Sequence, residues 1–298
     1  MNIAIVLLAL LGSVWLLAVI ESWATTGRLR PTAPLLSGLA HLGRESMVPR
    51  TPDRVFFETA PVLLLVVAVL GAAVLPLAPT LVIANLATGA LFINAALAYV
   101  LVALIMAGWG PNGAYAMIGG WRFLGQLIAY AMLIVMPITA VAIRAESMVN
   151  TAIVGSQDGL WNIIYQPLGF LLFFIAAMAL AFRSPFDLPV AEGELAGGVD
   201  AEYTGARLAV LRLARLTLVV TLAFSITVFY LGGWHGPLLP AWAWSLIKTL
   251  AVAVSMLLAG RYLPRIREAD LLKWCWTLGI PLALLNIVVV GLLVLVVP

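Results

Sequence analysis

One stretch of the chain gathers residues able to do acid–base chemistry. It reads Arg183-Ser184-Pro185-Phe186-Asp187-Leu188-Pro189-Val190-Ala191-Glu192-Gly193-Glu194-Leu195, then Asp200-Ala201-Glu202-Tyr203-Thr204-Gly205. Five of the 13 acids fall between Asp187 and Glu202. Carboxylates held together can accept and pass protons, and Arg183 and Arg207 at the two edges are charge partners for Asp187, Glu192, Glu194 and Glu202. Pro185 and Pro189 fix their own φ and push the residues before them out of the helical region. Composition alone favours a solvated acidic loop. The two prolines around Phe186-Asp187, with an arginine leading in, favour a built site. The other isolated group is Lys248, inside an apolar run, where an ionisable residue is a functional hypothesis by default. It either snorkels to the nearer surface or is a buried, paired ammonium.

The elements that must carry these groups are membrane spans. Of the 298 residues, 64% are hydrophobic and 10% charged, against roughly half and about a quarter in soluble domains. Mean hydropathy is +1.12. A net charge of +3 on so apolar a chain gives no footing for nucleic acid. The single Cys275 excludes an internal disulfide, and one cysteine with two histidines leaves too few ligands for a zinc finger or an iron–sulfur cluster. No metal or haem is expected in this chain.

A helix needs about 20 apolar residues to cross the hydrocarbon. By that measure the chain is an all-α polytopic membrane protein, one membrane domain over residues 1–298, with eight spans. They are expected near 2–22, 58–78, 81–107, 123–145, 160–182, 208–231, 241–262 and 275–297. Pro76 and Pro79 mark a tight joint after the second, and Gly232-Gly233 the turn after the sixth. The first lacks a basic leader and a small-residue cleavage site, so it is read as a span.

Lys and Arg near span ends favour the cytoplasm. Fourteen of the 16 fall on one side, and Arg144 and Lys248 are the exceptions. Both termini are therefore expected on the non-cytoplasmic side, with the long loops cytoplasmic. Histidines 41 and 235 then face opposite sides and cannot share a haem iron. Leu35, Leu39 and Leu42 make one stripe of a short amphipathic helix after the first span, lying in the interface or against the bundle. No carboxylate is expected at mid-span, so the chain by itself is not expected to carry an ion across the bilayer.

The acidic loop resembles that of the heel subunit of respiratory complex I, the H-subunit family of NADH–quinone oxidoreductase, whose relatives include membrane anchors of group 4 hydrogenases and formate hydrogenlyase. The family pattern is Arg, one residue, Pro-Phe-Asp-Leu-Pro, an acid-rich run, then Glu-Tyr-Ser-Gly. Here it reads Arg183 to Pro189, Glu192 and Glu194, then Glu202-Tyr203-Thr204-Gly205. Gly38-Leu39 through Arg44-Glu45 and Pro49, the run Ala107 to Asn112 with Tyr115-Ala116, Leu231 to Trp234, Lys248, and Leu263-Pro264-Arg265 with Pro281 to Leu284 agree in order along the chain.

The resemblance implies a membrane subunit that, with a soluble neighbour, encloses a chamber where quinone receives electrons from an iron–sulfur cluster. Arg183, Asp187, Glu192, Glu194 and Glu202 would border it and relay protons. Arg44, Glu45 and Arg207 would serve docking and charge pairing. The implied partners are the soluble iron–sulfur and quinone-site subunits, small and antiporter-like membrane subunits, and lipid, in the cell inner membrane. Four of the family's acids are missing, at Ser37, Ala131, Leu180 and Val190. They belong to the route from chamber to membrane arm, so the pumping route is expected to be less preserved than the quinone side. The alternative is an anchor that docks a hydrogenase or formate-oxidising module and binds no quinone.

Overall fold

The computed structural model describes residues 2–296, with the side chains of Asn2 and Glu192 outside the described residues. In chain order its helices are α1 (Asn2–Thr26), α2 (Ala33–Leu42), α3 (Arg54–Ala73), α4 (Gly89–Trp109), α5 (Ala114–Ala145), α6 (Asn150–Gly155), α7 (Asn162–Tyr165), α8 (Pro167–Leu180), α9 (Glu192–Leu195), α10 (Gly205–Tyr230), α11 (Ala241–Tyr262), α12 (Glu268–Trp274) and α13 (Ile280–Val296). A π-helical turn at Cys275–Gly279 makes α12 and α13 one continuous rod. Seven helices among the described residues are long and apolar enough to cross a membrane: α1, α3, α4, α5, α10, α11 and that rod.

The bundle is organised around α10. Every residue from Thr217 to Tyr230 is buried by neighbouring helices, so this half of α10 faces protein on all sides rather than lipid. It packs on α3, α11, α1 and α8, while α5 packs on α4, α13 and α8. The serine and threonine hydroxyls buried in the middle of α10 have protein partners: Thr221 donates to the Ala68 carbonyl of α3 at 2.9 Å, and Ser225 and Thr227 donate back to their own helix. Such interhelical bonds and small-residue contacts hold helices together where no hydrophobic drive exists.

The structure departs from the expected spans in four places. The fifth is broken: Gln166 leaves the helical region (φ −139°, ψ 68°) between α7 and α8, and the 14 residues of α8 reach only about 21 Å at 1.5 Å each. Pro167 is the cause, since it restricts the residue before it. The joint after the second span is not tight but an irregular segment between α3 and α4, pinned by a β-bridge between Ala78 and Leu81, so the third span begins at Gly89 rather than 81. The fourth and eighth begin early, at Ala114 and Glu268, which puts Arg122, Glu268 and Asp270 on helices rather than in loops. The amphipathic helix forms as α2 and touches α1 and α10, while Leu35, Leu39 and Leu42 of its stripe stay exposed.

Candidate functional site

The acidic loop is irregular backbone at the arginine-rich end of the bundle, and it is anchored by apolar side chains. Phe186, Leu188, Leu195, Val199 and Tyr203 are all buried. Gln126 of α5, fully buried, donates from Nε2 to the carbonyls of Ala179 (3.0 Å) and Phe186 (2.9 Å). The Ile266 amide donates to the Pro185 carbonyl at 3.2 Å. Gly198, at φ +51°, lies so close under Pro189 that a Cβ there would stand 2.0 Å from the proline oxygen, so no other residue fits. Irregular backbone near a membrane is tolerated when protein covers it, and here it is covered.

With the backbone fixed, three of the five acids are matched to cations from other elements. Asp187 Oδ2 pairs with Arg265 at 2.6 Å, Glu194 with Arg122 at 2.7 Å, and Asp200 with Arg215. Glu202 lies against the turn at Gly113. Arg183 and Arg207, expected to partner the loop acids, reach elsewhere. Arg183 grips Glu21 of α1 through two nitrogens, at 2.5 and 3.3 Å, and Arg207 pairs with Glu58 of α3 at 2.7 Å. Both corrections have one reason: the two arginines sit at the ends of the loop, where the nearest carboxylates belong to neighbouring helices. Glu192 can be placed by its backbone alone, in α9.

Arg207 also lies 5.1 Å over the Phe57 ring, which stacks on Tyr203 at 4.7 Å. Burial first, then the Asp200 carboxylate, pushes the Tyr203 phenol above its ordinary range, with Arg207 acting against them. The stretch carrying Arg44 and Glu45 is tied to the same loop. The Met47 amide donates to Thr204 Oγ1 at 2.8 Å, and Arg44 and Glu45 themselves stay exposed.

A cavity of about 850 Å³ lies between α1, α2 and α10. Its walls are mostly apolar, including Leu8, Leu11, Gly12, Trp15, Leu35 and Leu213, and Glu21, Ser22, Thr25, His41 and Arg212 supply its polar lining. None of the loop acids lines it. Arg183 is their link, since its partner Glu21 is on the cavity wall. Arg212 Nη1 donates to His41 Nε2 at 2.9 Å, which requires that nitrogen to be an acceptor. In agreement, partial burial and then the charges of Arg212 and Arg44 hold the imidazole below its ordinary 6.5.

Lys248 is buried, not snorkelled, and its partners are not carboxylates. Its Nζ donates to the carbonyls of Leu231 (2.6 Å), Gly233 (3.1 Å) and His235 (2.6 Å) and stands 4.1 Å from the centre of the Trp161 ring. The ammonium thus caps the C-terminal end of α10, where the helix dipole favours a cation. Sequence reading missed Glu21, Gln126, His41 and Arg265 as parts of this arrangement. A glutamine in an apolar run was the one available signal, because burial demands partners for its amide. The pairing of Arg183 with Glu21, 162 positions apart, left none.

Among the described residues no cluster of three or more metal-binding side chains occurs. Comparison with known proteins agrees with the motif order. The family model for NADH dehydrogenase matches residues 5–291. The NADH-quinone oxidoreductase H subunit of Syntrophotalea carbinolica is 36% identical over 272 residues, covering 88% of this chain and 82% of the relative. H subunit 1 of Geobacter metallireducens and H subunit 2 of Geobacter sulfurreducens are 36% and 37% identical, each covering 89% of this chain and 82% of the relative. With a matched model over nearly its whole length and relatives of one name covered almost end to end, the chain belongs to the H-subunit family of NADH-quinone oxidoreductase.

Proposed function

We propose that the chain is the quinone-chamber subunit of a complex I-like assembly, its arginine-rich end facing the cytoplasm and a soluble iron–sulfur arm. The observation that carries this reading is the cavity between α1, α2 and α10. Its volume suits a small-molecule site, for which roughly 300–1,000 Å³ is usual, and its long apolar wall with a few polar groups suits an amphipathic quinone. Electrons would arrive from an iron–sulfur partner, as the family membership implies. Quinone taking two electrons needs two protons, and this chain's part is to hold and pass them.

Glu21 touches the cavity and is oriented by Arg183. Arg183 begins the loop that bears Asp187, and Asp187 Oδ1 is buried without a protein partner. A carboxylate oxygen in that condition is free to accept a hydrogen bond from a water or another donor. With Leu180, Val190 and Ala131 where the family has acids, proton translocation through this chain is weakened, and neighbouring subunits supply what coupling remains.

The test is to fill the cavity and leave the loop intact. Gly12 faces open space, with nothing within 4 Å of an added Cβ. In the purified complex, Gly12→Phe is expected to abolish quinone reduction while a hydrophilic artificial acceptor still draws electrons from the soluble arm. Wild-type quinone reduction in that variant would refute the chamber. Quinone reduction absent from the wild-type complex as well would favour the docking anchor. Dye-reported proton uptake into liposomes under the same turnover reads the coupling.

A further inference from the structure

Three polar side chains meet deep in the bundle, at the end opposite the acidic loop, and none belongs to the cavity described above. They are Gln166 at the break between α7 and α8, Tyr230 at the end of α10, and Asn286 in the middle of α13. All are more than nine-tenths buried, at 2%, 0% and 4% exposure. Gly169 brings them together: a Cβ there would stand 2.9 Å from Asn286 Nδ2 and 3.1 Å from Tyr230 Oη, so only a residue without one lets α8 approach this closely.

The hydrogen bonds do not balance. Asn286 Nδ2 donates to Gln166 Oε1 at 3.3 Å, but Gln166 Nε2 and Tyr230 Oη are buried with no protein partner. The Tyr230 ring is fitted between Phe170 and Phe173, with centroids 5.8 and 5.9 Å away, so the aromatic body is satisfied and its hydroxyl is not. A donor and a hydroxyl left alone inside a membrane bundle are costly unless something polar joins them.

We propose that Gln166, Tyr230 and Asn286 form a binding site for water. The facing groups are amides and a phenol, all neutral, which suits water and gives a metal ion or an anion no opposing charge. A polar seam leads to it from the surface. The Gln166 amide donates to the Asn162 carbonyl at 2.8 Å, and Asn162 donates to Gln157 Oε1 from its amide and to the Phe229 carbonyl from Nδ2. Gln157 Oε1 also accepts from the Gly232 amide, beside the surface pair of His235 and Asp158. The site is therefore linked toward that end of the bundle by backbone amides and by the Asn162 and Gln157 side chains, with no carboxylate at depth.

Radiolytic hydroxyl-radical labelling of the assembled complex tests this, because it modifies side chains that sit beside bound water even where bulk solvent does not reach. Tyr230 is expected to be labelled, while Phe173 and Phe229, equally buried neighbours at 0% exposure, stay unlabelled. Asn286→Leu is expected to bring Tyr230 down to the level of those phenylalanines. Tyr230 labelled no more than Phe173 in the wild-type complex would overturn the proposal. So would a density map of the complex in which Gln166 Nε2 bonds directly to a protein oxygen with no water between. If Asn286→Leu does not assemble, the wild-type labelling ratio and the map still decide.

Discussion

Replacing Lys248 by methionine keeps the stem of the side chain and removes only the ammonium. The charge makes three hydrogen bonds, to the carbonyls of Leu231, Gly233 and His235, each worth roughly 1.5–3 kcal/mol for a charged donor. Against this stands the desolvation of a buried ion, several kcal/mol in real proteins. The net loss on removal is therefore about 2–4 kcal/mol, close to the cost of orphaning one member of a buried pair. Part of it is the three carbonyls left facing apolar surroundings. For a chain of this size that corresponds to a fall in Tm of about 3–6 °C. The assay is thermal unfolding of the complex in lipid nanodiscs, with tryptophan emission as a second probe, since Trp161 and Trp244 lie 4.1 and 5.8 Å from the ammonium. Lys248→Arg should lose nearly as much, because a planar guanidinium cannot aim at three converging oxygens. A Tm for Lys248→Met within about 1 °C of wild type would mean that the three bonds contribute nothing and that the lysine reaches water.

Two further outcomes follow from the site. Reversing the half-buried pair, Glu21→Arg with Arg183→Glu, should restore much of the quinone turnover that either single change loses, if the pair only orients the loop against the cavity. With about 1.5–3 kcal/mol at stake, each single variant should lose roughly 10–100-fold in kcat/KM; a double variant as poor as the singles would show that Glu21 itself handles the proton. His41 is harder to protonate when folded than its ordinary 6.5, so the contact with Arg212 is whole above that pH and weakens as pH falls below it. Hydrogen exchange of the α2 amides, corrected for intrinsic rate, should therefore speed up between about pH 7.5 and about pH 5.5, and His41→Gln should flatten the change. Unchanged protection in wild type would sink that account.

What could be read from the sequence was what local pattern encodes. The helices and their hydrophobic faces follow from apolar length, and α2 from the spacing of Leu35, Leu39 and Leu42. The Pro-Phe-Asp-Leu-Pro run announced an irregular, covered loop. The misplaced ends have local causes that tertiary contact overrode. Gly119 and Gly120 lie ahead of the fourth span as expected at 123–145, yet inside α5. They are helical, because Gly119 packs against the carbonyl of Pro189 and the amide of Val199, and Gly120 against Gly108. Residues 81–88 are as apolar as a span, but the bridge from Ala78 to Leu81 and the hydrogen bond from Thr151 to Asn85 hold them outside the helix. The break at Gln166 was legible in Pro167 but outweighed by hydropathy. The ion pairs were not legible at all, since Arg207 and Glu58 are 149 positions apart and charge type alone does not choose among carboxylates. The cavity is a property of three packed helices and has no one-dimensional signature.

The three carbonyls around Lys248 all come from the hairpin that contains it, no more than 17 residues away in sequence. That nearness bears on biogenesis. If the arginine-rich end stays in the cytoplasm, as proposed, this lysine must be carried across the hydrocarbon as α11 enters the bilayer. A bare ammonium would oppose that step. The α10–α11 hairpin can neutralise it from within, because Leu231, Gly233 and His235 leave the ribosome before Lys248 does, and so does Trp161. The charge can thus be enclosed as the hairpin closes, before α13 has been made, so the lysine of α11 needs no partner from a later span.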